Sequence, residues 1–131
     1  MGEILREFDW VKALAACSIG QVFKELQMGV EGDIEAINSV RGLQPDTAFR
    51  TYSDRPAMFI VFQNSGPRVK FSCGEDRIEI ADEVAGQNIV ATLTLTDEWR
   101  CKLKVGQEEL EQWQVRRRAL EALLFVPVST R

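Results

Sequence analysis

From Trp99 to Val105 the chain alternates apolar residues (Trp99, Cys101, Leu103, Val105) with cations (Arg100, Lys102, Lys104), the pattern of a strand with one dry face. After Gly106 the period changes. Between Gln107 and Phe125 the side chains of Leu110, Trp113, Leu120 and Leu124 project within roughly 80° of one another, which predicts one long helix with a single apolar stripe. A strand that runs into such a helix lets the helix fold back over the sheet.

The N-terminal third has the helical period. Ile4, Leu5, Phe8, Val11 and Ala15 predict a helix over residues 3–16, which Asp9 interrupts by capping a second set of turns from Trp10. Ser18 followed by Gln21 fits a capping box, and Ile19, Val22, Phe23, Leu26, Val30, Ile34 and Ile37 then stay within an arc of about 120°. Two features oppose this main helix. Gly29 and Gly32 each cost about 1 kcal/mol relative to alanine, so they predict either a break near Met28 or close packing against another backbone. Asp33 projects between Val22 and Leu26, inside the apolar arc, where a carboxylate needs a partner. Gly42 is the expected stop, and Pro45-Asp46 a turn.

Beyond Asp46 the period is that of strands. The first is expected from Thr47 to Ser53. The second, Ala57 to Gln63, is apolar at successive positions (Met58, Phe59, Ile60, Val61, Phe62), which predicts a central strand or one covered on both sides. Asn64-Ser65-Gly66-Pro67 turns the chain; Val69, Phe71 and Cys73 alternate with Arg68, Lys70 and Ser72; Gly74-Glu75-Asp76 turns it again; Ile78 and Ile80 alternate with Arg77 and Glu79. A loop at Gly86 leads to Ile89, Ala91, Leu93 and Leu95, and Asp97-Glu98 is a two-residue connection to the Trp99 strand. Connections this short join antiparallel neighbours. The expectation is an α+β domain spanning residues 1–131: two N-terminal helices, a six-stranded antiparallel meander and a C-terminal helix packed on it.

This succession resembles the helix-grip folds of START-like lipid and hormone carriers, in which a curved sheet wraps a C-terminal helix. The likeness lies in the order of elements and involves no sequence motif; those folds begin with a strand that this chain lacks. It implies a fold and no activity.

Composition adds limits. With 131 residues, 45% hydrophobic and 27% charged, one ordinary core is expected. No apolar run reaches the ~18 residues of a membrane span, and Glu3, Arg6, Glu7 and Asp9 stand where a signal peptide would be apolar, so a cytoplasmic chain complete as it stands is expected. The net charge of -4 is uneven: residues 1–46 hold eight acids and four bases, residues 47–131 twelve of each. A nucleic-acid binder has the opposite surplus. Cys17, Cys73 and Cys101 are three cysteines at wide spacing with no histidine, which argues against a disulfide framework and a zinc site and for free thiols in a reducing compartment.

The absence of histidine also removes Ser-His and Cys-His nucleophiles, and no glycine-rich nucleotide motif is present. Glu75-Asp76 and Asp97-Glu98 are turn acids. Haem ligation would fall to cysteine, methionine or Tyr52. No cofactor, metal, nucleic acid or membrane is therefore expected, and the chain is read as a non-catalytic binding or assembly domain, self-associating or taking an acidic protein partner. Its expected partner face is the basic outward side of the late strands: Arg68, Lys70, Arg77, Arg100, Lys102 and Lys104. The alternative is a carrier or sensor of a small apolar ligand, haem included, held between the curved sheet and the last helix by Phe59, Phe71, Leu93, Trp99, Trp113 and Arg117. Arg117 has two further expected roles: a pair with Glu121, four residues on, or a shielded pair with Asp33 that joins the two helices.

Overall fold

The computed structural model describes residues 9–125. Ile4, Leu5 and Phe8 of the first predicted helix lie outside that range. Helix α1 (Trp10–Ala16) begins where Asp9 caps it, the carboxylate accepting a hydrogen bond from the Lys12 amide at 3.0 Å. Helix α2 (Ile19–Arg41) begins at Ser18, whose hydroxyl accepts from the Gln21 amide at 3.3 Å, and stops at Gly42 in the left-handed conformation. Val22, Phe23, Leu26, Val30, Ile34 and Ile37 are buried, as the period requires.

Neither glycine breaks α2. A Cβ at Gly29 would lie 2.6 Å from Nη1 and 2.9 Å from Cδ of Arg116, so the missing side chain makes room for an arginine of another helix. A Cβ at Gly32 meets nothing within 4 Å.

Seven antiparallel strands follow in chain order: β1 (Phe49–Arg55), β2 (Met58–Gln63), β3 (Arg68–Cys73), β4 (Ile78–Asp82), β5 (Gln87–Leu95), β6 (Cys101–Val105) and β7 (Glu108–Leu110). The last helix, α3, covers Gln112–Leu124. The α+β class and the helix packed on a meander are as expected; the strand count and two local assignments differ.

First, residues 108–110 form a strand. Gly106, at φ +62°, turns the chain so tightly that Glu108 pairs with Val105 and Leu110 with Leu103. Leu110 is therefore buried by β7, and α3 starts only after Glu111, whose amide donates to Gln114 Oε1 at 2.8 Å. Without Leu110 the buried side chains of the helix, Val115, Ala119, Leu123, Leu120 and Leu124, span an arc of about 180°, and Trp113, in the first turn, projects near its Leu120–Leu124 edge and is 53% exposed.

Second, Trp99 and Arg100 precede β6 rather than belong to it. The Thr96 hydroxyl accepts from the amides of Glu98 (3.3 Å) and Arg100 (3.1 Å), closing a longer loop with Trp99 at φ +62°.

As expected, β2 is a central strand, paired with β1 and β3, though among the described residues helices cover only one of its faces. Helices α2 and α3 share one face of the sheet, over Phe49, Phe59, Val61, Val69, Phe71, Ile78, Ile80, Ile89, Ala91 and Leu103. Among the described residues no element packs on the other face. The space beneath the helices is filled by protein: the Phe59 and Phe71 rings stack at 4.6 Å, and Phe23 of α2 tilts onto Phe59 at 5.5 Å.

Two polar devices fix the layers. Asn38 of α2 imitates a strand neighbour, its Oδ1 accepting from the Phe49 amide at 2.9 Å and its Nδ2 donating to the Phe49 carbonyl at 3.0 Å. The other is covalent: Cys17, capping α1, forms a disulfide with Cys101, the first residue of β6. This overturns the reading of those two cysteines as free thiols. Cys101 has the inward parity of Leu103 but sits at the exposed strand start, where it meets the chain entering α2.

Candidate interaction surfaces

The two sets of candidate residues end in different places. Phe59 and Phe71 have no exposure at all and belong to the packed core; Leu93 is half-buried against it; Trp99 is in the β5–β6 loop. These four do not surround a common space. Trp113 and Arg117 do line one: a groove of about 520 Å³ between α2 and α3, bordered by Ile37, Val40, Leu120, Leu124 and Phe125. It is a surface groove on the helical layer and lies outside the sheet–helix interior.

Asp33 is at one end of the groove, and its partner is Arg116: Nε donates to Asp33 Oδ2 at 2.8 Å, while Nη1 donates to Gln112 Oε1 at 2.8 Å. The expectation of an interhelical ion pair to Asp33 holds in kind, with the arginine shifted by one position. Gly29 lies one turn before Asp33 and leaves the space this guanidinium crosses. Arg117 instead pairs with Glu121 at 3.5 Å, with both side chains more than half exposed.

Most of the six strand cations have an acid beside them. Arg77 pairs with Asp76 at 3.1 Å, and its hydrogen bond and then its charge hold the Asp76 carboxyl below the usual carboxylate range. Arg100 and Lys102 both reach Glu111, at 3.1 and 3.4 Å. Lys104 lies across from Glu109 in the β6–β7 ladder. Arg68 contacts Glu83 at 3.6 Å, and for Lys70 no ion pair within 4 Å occurs among the described residues.

Arg68 and Lys70 sit beside something the alternation of charges did not reveal. The strand register aligns outward side chains in rows: Arg50, Phe62 and Arg68 in one; Tyr52, Ile60, Lys70 and Ala81 in the next; Met58, Ser72, Glu79 and Val90 in a third. Met58, Ile60 and Phe62 thus make an apolar ridge along β2, partly exposed, with cations on both sides of Phe62 and one beside Ile60. Tyr52 and Val90 extend it, 56% and 41% exposed. Arg50, whose guanidinium donates to the Pro45 carbonyl, was outside the expected set. The signal for this surface was present as the doubly apolar run of residues 57–63.

Chemically reactive groups are few. Cys73 is the free cysteine of the described residues; its thiol faces the Ile19 carbonyl at 3.9 Å, and burial pushes its pKa up, opposite to what a nucleophile needs. Asp82, the one buried charged residue described, is saturated by the amides of Val84 and Ala85 and by Gln87 Nε2, at 3.0 to 3.1 Å. Among the described residues no cluster of three acids or cysteines is placed to hold a metal, and no helix is long and apolar enough to cross a membrane. Comparison of the chain with models of known protein families, with curated proteins and with solved structures finds no match in any of the three.

Proposed function

We propose that this chain is a non-catalytic binding and assembly domain that takes an acidic protein segment on the open face of its sheet. One observation carries this reading: β2 has the doubly apolar sequence of a covered strand, and among the described residues only one of its faces has a cover. A partly exposed row of Met58, Ile60 and Phe62 flanked by Arg50, Arg68 and Lys70 suits a segment that alternates apolar and acidic side chains, with desolvation of the ridge supplying affinity and the cations supplying orientation. The segment belongs to another protein or to a second copy of this one, whose α2 exposes Glu25, Glu31 and Glu35 around Met28.

The test is fluorescence anisotropy with a labelled peptide of alternating glutamate and leucine, at low salt and at about 0.5 M, where screening reaches only a few ångströms. Salt-sensitive binding is expected, weakened at least about ten-fold by Ile60→Ser with Lys70→Glu. No binding, or binding indifferent to both changes, removes the reading.

The second reading, a carrier of a small apolar ligand, is favoured by one feature, the apolar lining of the α2–α3 groove. It places the ligand against Trp113 and Arg117 on the helical layer, since Phe59 and Phe71 are occupied with each other. The cytosolic setting inferred from free thiols has lost that support, because the Cys17–Cys101 bond is of a kind that persists in oxidising surroundings.

A further inference from the structure

The exposed side of α3 carries a row at four-residue spacing: Trp113, Arg117, Glu121 and, at the C-terminal cap, Phe125. All four are more than half exposed, the tryptophan at 53% and the phenylalanine at 57%. The row reads apolar, cation, anion, apolar. Turned end for end it is its own complement: when two such helices meet antiparallel about a point midway between Arg117 and Glu121, each tryptophan faces a phenylalanine and each arginine faces a glutamate.

We infer that a second copy of this chain occupies the α2–α3 groove, the two molecules packing their α3 helices antiparallel across a two-fold axis. A two-fold contact requires a self-complementary patch, and this row has that property in both charge and apolarity. Side chains four apart form the ridges by which helices most often interlock, so the row also has the geometry for it. The groove beside it provides the apolar surface to be covered: Val40 of α2 stands 85% exposed, over a floor of Ile37, Leu120 and Leu124, and the Arg41 guanidinium lies 5.2 Å from the Phe125 ring centre. The Arg117–Glu121 pair within one helix is solvent-exposed and therefore weak, so exchanging it for the same pair between two helices costs little. This contact uses the helical layer and leaves the open sheet face free; it deepens the assembly reading without depending on the acidic segment.

Sedimentation velocity on the full chain over about 1 to 100 µM is the test, spanning the weak end of specific association. A dimer is expected. Trp113→Glu should shift the monomer–dimer midpoint at least about ten-fold upward, and Arg117→Glu, which sets four acids together, should do the same. Combining Arg117→Glu with Glu121→Arg restores the complementarity in reverse and should restore the dimer; a merely structural role for either residue would not produce that rescue. Unfolding midpoints of all variants verify that they fold, which the exposure of these positions favours. A monomer throughout the range, a dimer unmoved by Trp113→Glu, or failure of the charge swap to rescue overturns the inference, as does a small molecule retained by the wild-type chain and lost with Trp113→Glu in native mass spectrometry. Ile60→Ser with Lys70→Glu should leave the dimer intact, so loss of peptide binding and loss of dimerisation are read separately.

Discussion

Arg116, Asp33 and Gly29 form one unit at the residue scale. The guanidinium reaches Asp33 because position 29 has no side chain, so the glycine's helix penalty and the ion pair are coupled. Gly29→Ala should therefore destabilise the wild-type chain by about 1 kcal/mol, the displaced guanidinium losing both its bonds, and should stabilise an Arg116→Ala background by up to about 1 kcal/mol. Urea unfolding of the four proteins measures this; the same sign in both backgrounds would refute the coupling. Cys73 gives a second prediction. Burial raises its pKa, so it holds less thiolate than a free cysteine at any given pH, and iodoacetamide should label it several-fold more slowly than glutathione near pH 8. The sign for stability follows: the folded state prefers the protonated thiol, so this contribution is intact below the unfolded thiol's pKa of about 8.5 and is lost as pH rises through the higher folded value.

Among elements, α1 is the one with no buried residue, and Trp10, Val11 and Leu14 all remain exposed. Its neighbour α2 is held by a full apolar stripe, and the point where the two meet is tied to β6 by the disulfide. That bond closes 84 residues of chain, for which the chain-entropy estimate is about 4–5 kcal/mol. Removing it by Cys17→Ser, or by reduction, should lower stability by roughly 2–4 kcal/mol, and the variant's unfolding midpoint should no longer respond to dithiothreitol. A wild-type midpoint unchanged by the reductant would show that the cross-link constrains nothing. The remaining elements were legible to different degrees. The α2 stripe and the alternation in β3, β4 and β5 are local periodicities strong enough to identify the element and its buried side. The segment from Gln107 to Leu110 was misassigned because helix and strand both place Leu110 inward, and a three-residue strand is too short to show its period.

At the scale of the whole molecule, the described residues leave two surfaces uncovered, one on the helical layer and one on the sheet. The open sheet face has the ridge of β2 with its flanking cations, and the α2–α3 groove has the Trp113–Phe125 row. Binding and dimerisation are assigned to separate faces, so a dimer would display two open sheets to partners. An acidic peptide should then bind at one site per subunit, with the dimer unaffected.

What the sequence determined by itself is the content of each layer: which residues of α2 and of the strands turn inward, where Asp9, Ser18 and Gly42 begin and end helices, and that the inner positions suffice for a core. These follow from periods of 3.6 and 2, which depend only on near neighbours. Which residue meets which was decided by the tertiary structure. Arg116 rather than Arg117 reaches Asp33, Cys17 finds Cys101 across 84 residues, Phe59 stacks on Phe71, and one face of β2 stays partly exposed among the described residues. The physical reason is the same in each case: a pairwise contact depends on the rotation and offset of whole elements against one another, and a shift of one helical residue turns a side chain by about 100°, enough to exchange a buried partner for water.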